Sequence, residues 1–432
     1  MAQPLASEIS ACHGCGLIQR LPDVVHAGAL LCSRCGATLR QVRRNSVLLC
    51  GVSAGLGLVL FAVAFNEPIA NVVMQGGRFA TSDLLTGTRH LEQAGAWLLT
   101  LAVVPTLLLV PLIKLFTVAA MAVAVRERNV PGWLRRAFAA LPTLSQWAMV
   151  EVFLLGAMIA LFRLRDWMLV DYGPALFALS GAALCSIGID AAVDRAAFWD
   201  AVPLRGGSLQ ASANEVSTAA TPESDPLIGC HGCDLLVRTR DGGACPRCGS
   251  KLHARKPDSV RRTWALLGTA ALLAIPANVW PVMTITKLGR GGPSTILGGS
   301  LELTEAGFWG LAALVFVASV IVPLVKLGAL SFLLVSAQRG SKQRLELRTR
   351  LFRVVTLIGR WSMLDIFATM TLVTLARFGW LGSVRPEPGA SAFCGVVMLT
   401  MLASEAFDPR LMWDAAGRNG PGMVPVGAEG SP

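Results

Sequence analysis

Long, nearly uncharged runs dominate the chain and alternate with short basic clusters. Runs at 47–65, 94–125, 137–162, 173–189, 263–286, 306–337, 353–376 and 389–406 have the length of a membrane helix, which needs about 20 residues to cross a hydrocarbon core about 30 Å thick. The pattern predicts an all-α polytopic membrane protein with two tandem four-helix transmembrane units. Arg40, Arg43 and Arg44 precede the first run, and Arg126, Arg128, Arg135 and Arg136 separate the second from the third. Arg339, Lys342, Arg344, Arg348 and Arg350 recur at the equivalent place in the second set. Basic loops stay on the cytoplasmic side, so these face inward, while 66–93 and 287–305 face outward.

The two sets are copies of each other. Val110-Pro111-Leu112-Ile113-Lys114-Leu115 matches Val322-Pro323-Leu324-Val325-Lys326-Leu327 at an offset of 212 (326 − 114). Trp147-Ala148-Met149-Val150-Glu151-Val152-Phe153 matches Trp361-Ser362-Met363-Leu364-Asp365-Ile366-Phe367 at 214 (361 − 147). Asp194-x4-Trp199-Asp200 and Asp408-x4-Trp413-Asp414 share that second offset. Four helices per unit return the chain to the side it started from, which makes the repeats parallel.

Composition agrees with a membrane protein. The mean hydropathy is +0.57, and 53% of the 432 residues are hydrophobic against 15% charged. The net charge of +11 comes from 38 Lys and Arg against 27 Asp and Glu. Because the basic residues gather in loops, they suit topology and lipid headgroups better than nucleic acid. The polar start of the sequence predicts no cleavable signal peptide.

Eight of the eleven cysteines form two paired sets: Cys12, Cys15, Cys32, Cys35, and Cys230, Cys233, Cys245, Cys248. Four thiolates at such spacing suit tetrahedral zinc, one ion per set, and the alternative for a Cys-x2-Cys pair is redox chemistry. Each set stands before a four-helix unit on the predicted cytoplasmic side, where thiols stay reduced. The domain reading is therefore a zinc ribbon at 1–40, a transmembrane unit at 41–200, a Gly/Ser/Ala-rich linker at 201–228, a second ribbon at 229–256, a second unit at 257–414 and a flexible tail at 415–432.

Two ionisable residues stand inside the second unit's helices. Lys326 lies 13 residues before Arg339 and Asp365 lies 12 after Arg353; at about 1.5 Å per residue, both are roughly 18–20 Å deep. A lone charge there costs at least about 2.5 kcal/mol, so an ion pair between the two is expected. Ser319 shares the Lys326 face and Ser362 lies one turn before Asp365. Pro323 cannot donate to the carbonyl of Ser319, which leaves a backbone acceptor nearby. The cluster reads either as a polar transport site or as a structural pair that locks helices.

Taken together, Pro276-Ala277-Asn278-x2-Pro281, Ser294-Thr295-Ile296, Ser319-x3-Pro323-Leu324-Val325-Lys326, Gly359-Arg360-Trp361-Ser362-Met363-Leu364-Asp365 and Arg410-Leu411-x-Trp413-Asp414, behind the Cys-x2-Cys pairs, resemble the paraquat-inducible protein A family. The likeness runs from Cys12 to Asp414 and is strongest to the branch that partners MCE-domain tunnel proteins. It implies a multi-pass protein of the bacterial inner membrane with both termini in the cytoplasm, moving phospholipid to or from a periplasmic MCE tunnel. It also implies a polar site at Ser319, Lys326, Ser362, Asp365 and Thr400. The first unit keeps Lys114 and Glu151 as repeat counterparts but has Leu107 for Ser319 and Ala148 for Ser362.

No G-x4-G-K-[ST] motif occurs, so the chain does not spend ATP through a P-loop. The expectation is a transporter subunit, not an enzyme, with proton coupling through the buried amine and carboxylate. The alternative is a non-transporting membrane scaffold or a metal and redox stress sensor.

Overall fold

In the computed structural model the described residues are 9–21, 28–43, 45–74, 77–82, 92, 95–165, 169–204, 227–238, 242–287, 290–305, 307–375 and 382–417. The predicted linker, apart from its two ends, and the tail beyond residue 417 lie outside them.

The first cysteine module is two hairpins, β1 (Ile9–Ala11) with β2 (Ile18–Arg20) and β3 (Gly28–Leu31) with β4 (Thr38–Val42). Helix α1 (Ser46–Asn66) follows, then strands β5 (Ala70–Met74) and β6 (Gly77–Ser82), then the long helix α2 (Trp97–Arg126). Next come α3 (Gly132–Ala139), α4 (Leu141–Trp147), α5 (Val150–Arg165), β7 (Leu169–Tyr172), α6 (Pro174–Ala192) and α7 (Arg195–Asp200). The second half repeats this order: β8 (Leu227–Gly229) and β9 (Leu236–Arg238), α8 (Ser259–Val279), β10 (Met283–Lys287), β11 (Arg290–Ser294), α9 (Ile296–Glu305) and α10 (Trp309–Gln338). It ends with α11 (Leu345–Ile358), α12 (Leu364–Leu375), β12 (Gly382–Pro386), α13 (Pro388–Ala406) and α14 (Arg410–Ala415).

Among the described residues, six helices are long and apolar enough to cross a membrane: α1, α2, the nearly continuous α4–α5 stretch, α6, α10 and α13. Large apolar side chains such as Leu56, Phe177, Leu272, Leu314 and Val325 point away from the protein, as a lipid-facing surface requires. The chain is a multi-pass membrane protein.

Several predicted runs change shape in the structure. The run at 263–286 stops as a helix at Val279, because Pro281 follows and Met283 begins a strand. The stretch at 353–376 is interrupted by a 3₁₀ turn at Gly359–Met363, and the equivalent stretch of the first half breaks at Ala148 and Met149. The supposed outer loops contain sheet. β5 pairs with β6 and β7, and β10 pairs with β11 and β12, making a three-stranded antiparallel sheet in each half. These strands are only four to six residues long, too short for their alternation to stand out from a loop.

Two helix pairs carry the packing, α1 with α6 and α8 with α13, and the halves meet where α5 lies on α12. There Gly156 lets the backbones touch; a Cβ on it would stand 2.9 Å from both the Ala368 nitrogen and the Leu364 carbonyl oxygen. Phe153 and Phe367, equivalent residues of the two halves, meet edge to face with ring centres 5.7 Å apart. The seam is thus a near-symmetric contact between repeats.

Each cysteine module docks across the seam. The first packs Cys12, Cys15, Cys32 and Cys35 into one core with Leu330, Leu333, Leu334 and Trp413 of the second half. Arg353 donates to the carbonyls of Gly36 (2.9 Å) and Cys35 (2.5 Å), and Arg34 lies 4.2 Å over the Trp413 ring. The second module shares a core with Phe138, Phe198 and Trp199 of the first half, and Arg195 donates to the Gly232 carbonyl at 2.5 Å. His13 and Asp234 join the modules to each other at 2.5 Å.

Candidate functional site

The cysteine clusters are built by four copies of one backbone turn. Cys12, Cys32, Cys230 and Cys245 each donate their N–H to a carbonyl five residues on and accept from the residue four on. That fourth residue is Gly16, Gly36, Asp234 or Gly249, all with φ between 58° and 77°. Glycine takes this left-handed conformation freely, and Asp is among the few others that tolerate it.

The four Sγ atoms of each set lie within 4.8 Å of one another, and all eight cysteines are buried and free of disulfides. Pairs such as Cys12–Cys35 at 3.5 Å and Cys15–Cys32 at 3.6 Å are too long for a covalent bond. They are close to the roughly 3.8 Å edge of a tetrahedron whose corners lie about 2.3 Å from a central ion. Hydrogen bonds, first from Cys15 and then from Cys35, lower the Cys12 thiol, while bonding to Cys12 raises both partners, so the set shares its protons unevenly. The donor set fits a metal ion at each module.

The lysine sites begin with matching irregularities in α2 and α10. Residues Pro105–Leu109 and Val317–Ile321 each form a single π turn, in which the Val110 and Val322 N–H groups reach back to the carbonyls of Pro105 and Val317. Pro111 and Pro323 follow directly and cannot donate inside a helix, so the wider turn accommodates them. One turn later come Lys114 and Lys326, only 0% and 1% exposed.

In the first half Lys114 is paired. Its Nζ donates to Asp190 Oδ2 at 2.8 Å and to Ser186 Oγ at 2.9 Å, and Ser145 donates to the other Asp190 oxygen at 2.9 Å. The carboxylate it takes is therefore Asp190, near the end of α6. Glu151, proposed as its counterpart from the repeat, sits half-buried in the first turn of α5.

The second half differs at every one of these positions. At the offset of 214, Ser186 becomes Thr400, Asp190 becomes Ser404 and Ser145 becomes Gly359. Thr400 and Ser404 turn their hydroxyls back onto the carbonyls of Val397 (2.9 Å) and Met401 (2.7 Å) in their own helix. Lys326 Nζ lies against Gly359, where a Cβ would stand 3.0 Å away. It makes no hydrogen bond among the described residues, and neither do the buried hydroxyls of Ser319 and Ser362. All three belong to one neighbourhood, because the π turn packs on the 3₁₀ turn and on α12.

The expected hydrogen-bonded pair between Lys326 and Asp365 does not form. Asp365 follows the 3₁₀ turn, and four steps of about 2 Å with two of about 1.5 Å put it roughly 11 Å along the axis from Gly359, the residue Lys326 reaches.

Sequence reasoning missed Asp190 and Ser145, although the repeat offset that aligns them with Ser404 and Gly359 was legible. Asp190 lies one residue past the apolar run at 173–189.

The family described as Paraquat-inducible protein A matches residues 52–203 and again 260–417. The chain is 30% identical over 414 residues to the Intermembrane transport protein PqiA of Escherichia coli (strain K12), covering 93% of this chain and 95% of that protein. It is 29% identical to the Lipophilic envelope-spanning tunnel protein A of the same organism, over 94% and 91% of the two chains. A Probable intermembrane transport protein of Haemophilus influenzae is 24% identical over 94% and 96%. No solved structure matches the chain.

Proposed function

The chain belongs to the paraquat-inducible protein A family, and from that premise we propose that it is an inner-membrane subunit of an envelope lipid-transport system. It moves phospholipid between the inner membrane and a periplasmic MCE-protein tunnel, with the polar site of the second half as the working element. Its architecture is two tandem four-helix units, each headed by a cytoplasmic zinc ribbon whose four cysteines hold one structural Zn²⁺. The relatives' names, which speak of intermembrane transport and of an envelope-spanning tunnel, support the transport class.

The observation that carries the reading is the set of three buried polar atoms left without partners: Ser319 Oγ, Lys326 Nζ and Ser362 Oγ. An unsatisfied buried polar group costs about 1–3 kcal/mol, more when charged. Three in one place, at a π turn and a 3₁₀ turn, is a cost that folding alone does not explain. The first half, with the same helices, gives its lysine a carboxylate and a hydroxyl. The second half therefore keeps an amine poised for a proton or a passing headgroup, with the Asp365 carboxylate farther along the same path and Thr400 beside it. A proton gradient is the natural energy source for such a site.

The test is phospholipid transfer from proteoliposomes to a purified MCE partner, with Asp365→Asn and Lys326→Met. Both are expected to lower transfer by about 50-fold or more, some 2.3 kcal/mol at about 1.36 kcal/mol per factor of ten, while metal content stays at two ions per chain. Wild-type transfer by both variants would end the proposal. Redox-dependent loss of metal with a change of partners, and no lipid carried, would favour the sensor reading.

A further inference from the structure

A cavity of about 290 Å³ lies where both cysteine modules meet the ends of α6 and α7. That is near the lower end of the roughly 300–1,000 Å³ of small-molecule pockets, which favour such junctions between domains. Three arginines line it, one from each part: Arg40 of the first module, Arg247 of the second and Arg195 of α7. Four carboxylates share the lining, Asp190, Asp194, Asp200 and Asp234.

Three of these acids already have hydrogen-bond partners. Asp190 accepts from Lys114 and Ser145, and Asp194 accepts from the Ala196 N–H at 3.1 Å and the Ala197 N–H at 3.4 Å. Asp234 bonds His13 at 2.5 Å, with Arg195 Nη1 3.4 Å from its other oxygen. Asp200 has a looser contact, with Arg40 Nη2 at 3.7 Å, and burial pushes its carboxyl up although Arg40 and Arg247 stand near. The arginines are short of acceptors. Each guanidinium carries five N–H donors, yet the Nε groups of Arg40, Arg195 and Arg247 are all buried without a hydrogen bond among the described residues. Charge is balanced all the same, because these arginines and the Lys114 behind Asp190 offset the four acids. A balanced lining exerts no net pull on a bare anion. It suits a zwitterion that brings oxygens to the arginines and a cation to Asp200.

We infer that this cavity binds a phosphate ester that also carries an amine, of the phosphoethanolamine type. Three guanidiniums outnumber the two oxygens of a carboxylate, and phosphate oxygens suit the paired N–H groups of arginine. The phosphate takes the arginine side and the ammonium takes Asp200. A free metabolite and the headgroup of an aminophospholipid share this chemistry. Asp190 joins the cavity wall to a lysine inside the helix bundle, so the cavity borders the membrane surface on the module side. The site stands apart from the transport reading, since Ser319, Lys326 and Ser362 are not among its walls.

The experiment titrates the full-length protein, in nanodiscs of phosphatidylglycerol, with phosphoethanolamine, inorganic phosphate and ethanolamine by calorimetry. Phosphoethanolamine is expected to bind at least about tenfold more tightly than either of the others. Arg247→Met and Arg40→Gln are each expected to weaken it about tenfold or more, as the loss of a charge-assisted hydrogen bond does, with metal content as in the wild type. Arg40 lies outside both cysteine turns, so its variant carries the test if Arg247→Met loses metal. Asp200→Asn is expected to bring phosphoethanolamine down to the affinity of inorganic phosphate. Discs that also contain phosphatidylethanolamine identify the source: binding of the soluble compound lost there assigns the site to a lipid headgroup, and binding retained assigns it to a free metabolite. Three results would overturn the inference. One is phosphoethanolamine failing to bind in phosphatidylglycerol discs while the protein retains no phosphatidylethanolamine from mixed ones. The others are affinity unchanged in both arginine variants, and inorganic phosphate binding as tightly as phosphoethanolamine.

Discussion

The two halves put the same lysine at the same place on the same kinked helix and then treat it in opposite ways. Lys114 is held by a carboxylate and one serine, and a second serine bonds that carboxylate, with every bond between 2.8 and 2.9 Å. Lys326, equally buried, faces a glycine and lies near one helix whose two hydroxyls are turned back on their own backbone. Three substitutions at one level, Asp190 for Ser404, Ser145 for Gly359 and Ser186 for Thr400, account for the contrast. What duplication preserved is the scaffold; what it released is the charge. The first half behaves as a finished structural element, and the second keeps its polar atoms available.

The sharpest way to break that contrast is to give the second half the first half's acid. Ser404→Asp places a carboxylate at the position from which Asp190 holds Lys114. With Lys326 locked, phospholipid transfer is expected to fall about 100-fold, close to 2.7 kcal/mol of lost transition-state stabilisation, while the protein becomes no less resistant to heat. Proteoliposome transfer beside a melting curve reads both quantities. A variant that melts as before and transports normally would mean that the state of Lys326 does not matter.

The reverse exchange has a smaller effect and of a different kind. Asp190→Ser leaves Lys114 buried without the carboxylate it is bonded to. Breaking a buried pair costs about 3–5 kcal/mol, but the Asp190 side chain is 35% exposed, so solvent takes up part of the loss and about 2 kcal/mol is expected. Denaturant unfolding in mixed micelles measures the drop, and lipid transfer of the surviving folded protein stays within about twofold. A stable variant that has lost transport would make the first half an active partner.

Much of this was legible before any coordinates. Six of the spans, the duplication and both cysteine sets follow from apolar run length, repeat offset and Cys-x2-Cys spacing, which are local signals. Three things were not. The short strands β5 and β10 carry too few alternating positions to separate from loop. The expected Lys326–Asp365 contact failed because Lys326 reaches Gly359, roughly 11 Å along the axis from Asp365, which a residue count along one helix does not register. The crossed docking of the modules depends on Arg353 meeting Cys35 and Gly36 more than three hundred residues away, and no periodicity encodes that. Asp190 is a different case, since aligning the repeats through it would have exposed the missing acid at Ser404.

The mildest change tests whether the orphaned hydroxyls are held for use. Ser319 Oγ is buried in the π turn of α10 without a hydrogen bond, and its equivalent in the first half is Leu107, fully buried and apolar. If the hydroxyl served only to pack, Ser319→Ala would relieve an unsatisfied group and stabilise the protein by about 1 kcal/mol with transport unchanged. If the hydroxyl meets the cargo or a proton carrier, the same stabilisation appears together with a loss of transfer of about three- to fivefold, the size of one neutral hydrogen bond. The second outcome is expected, because the first half shows that a leucine fits this turn, and a helix with no use for the hydroxyl would have had an apolar solution available. Melting point and transfer rate moving in opposite directions in one variant would show stability given up for function at that atom, and the two moving together would place Ser319 among ordinary packing residues.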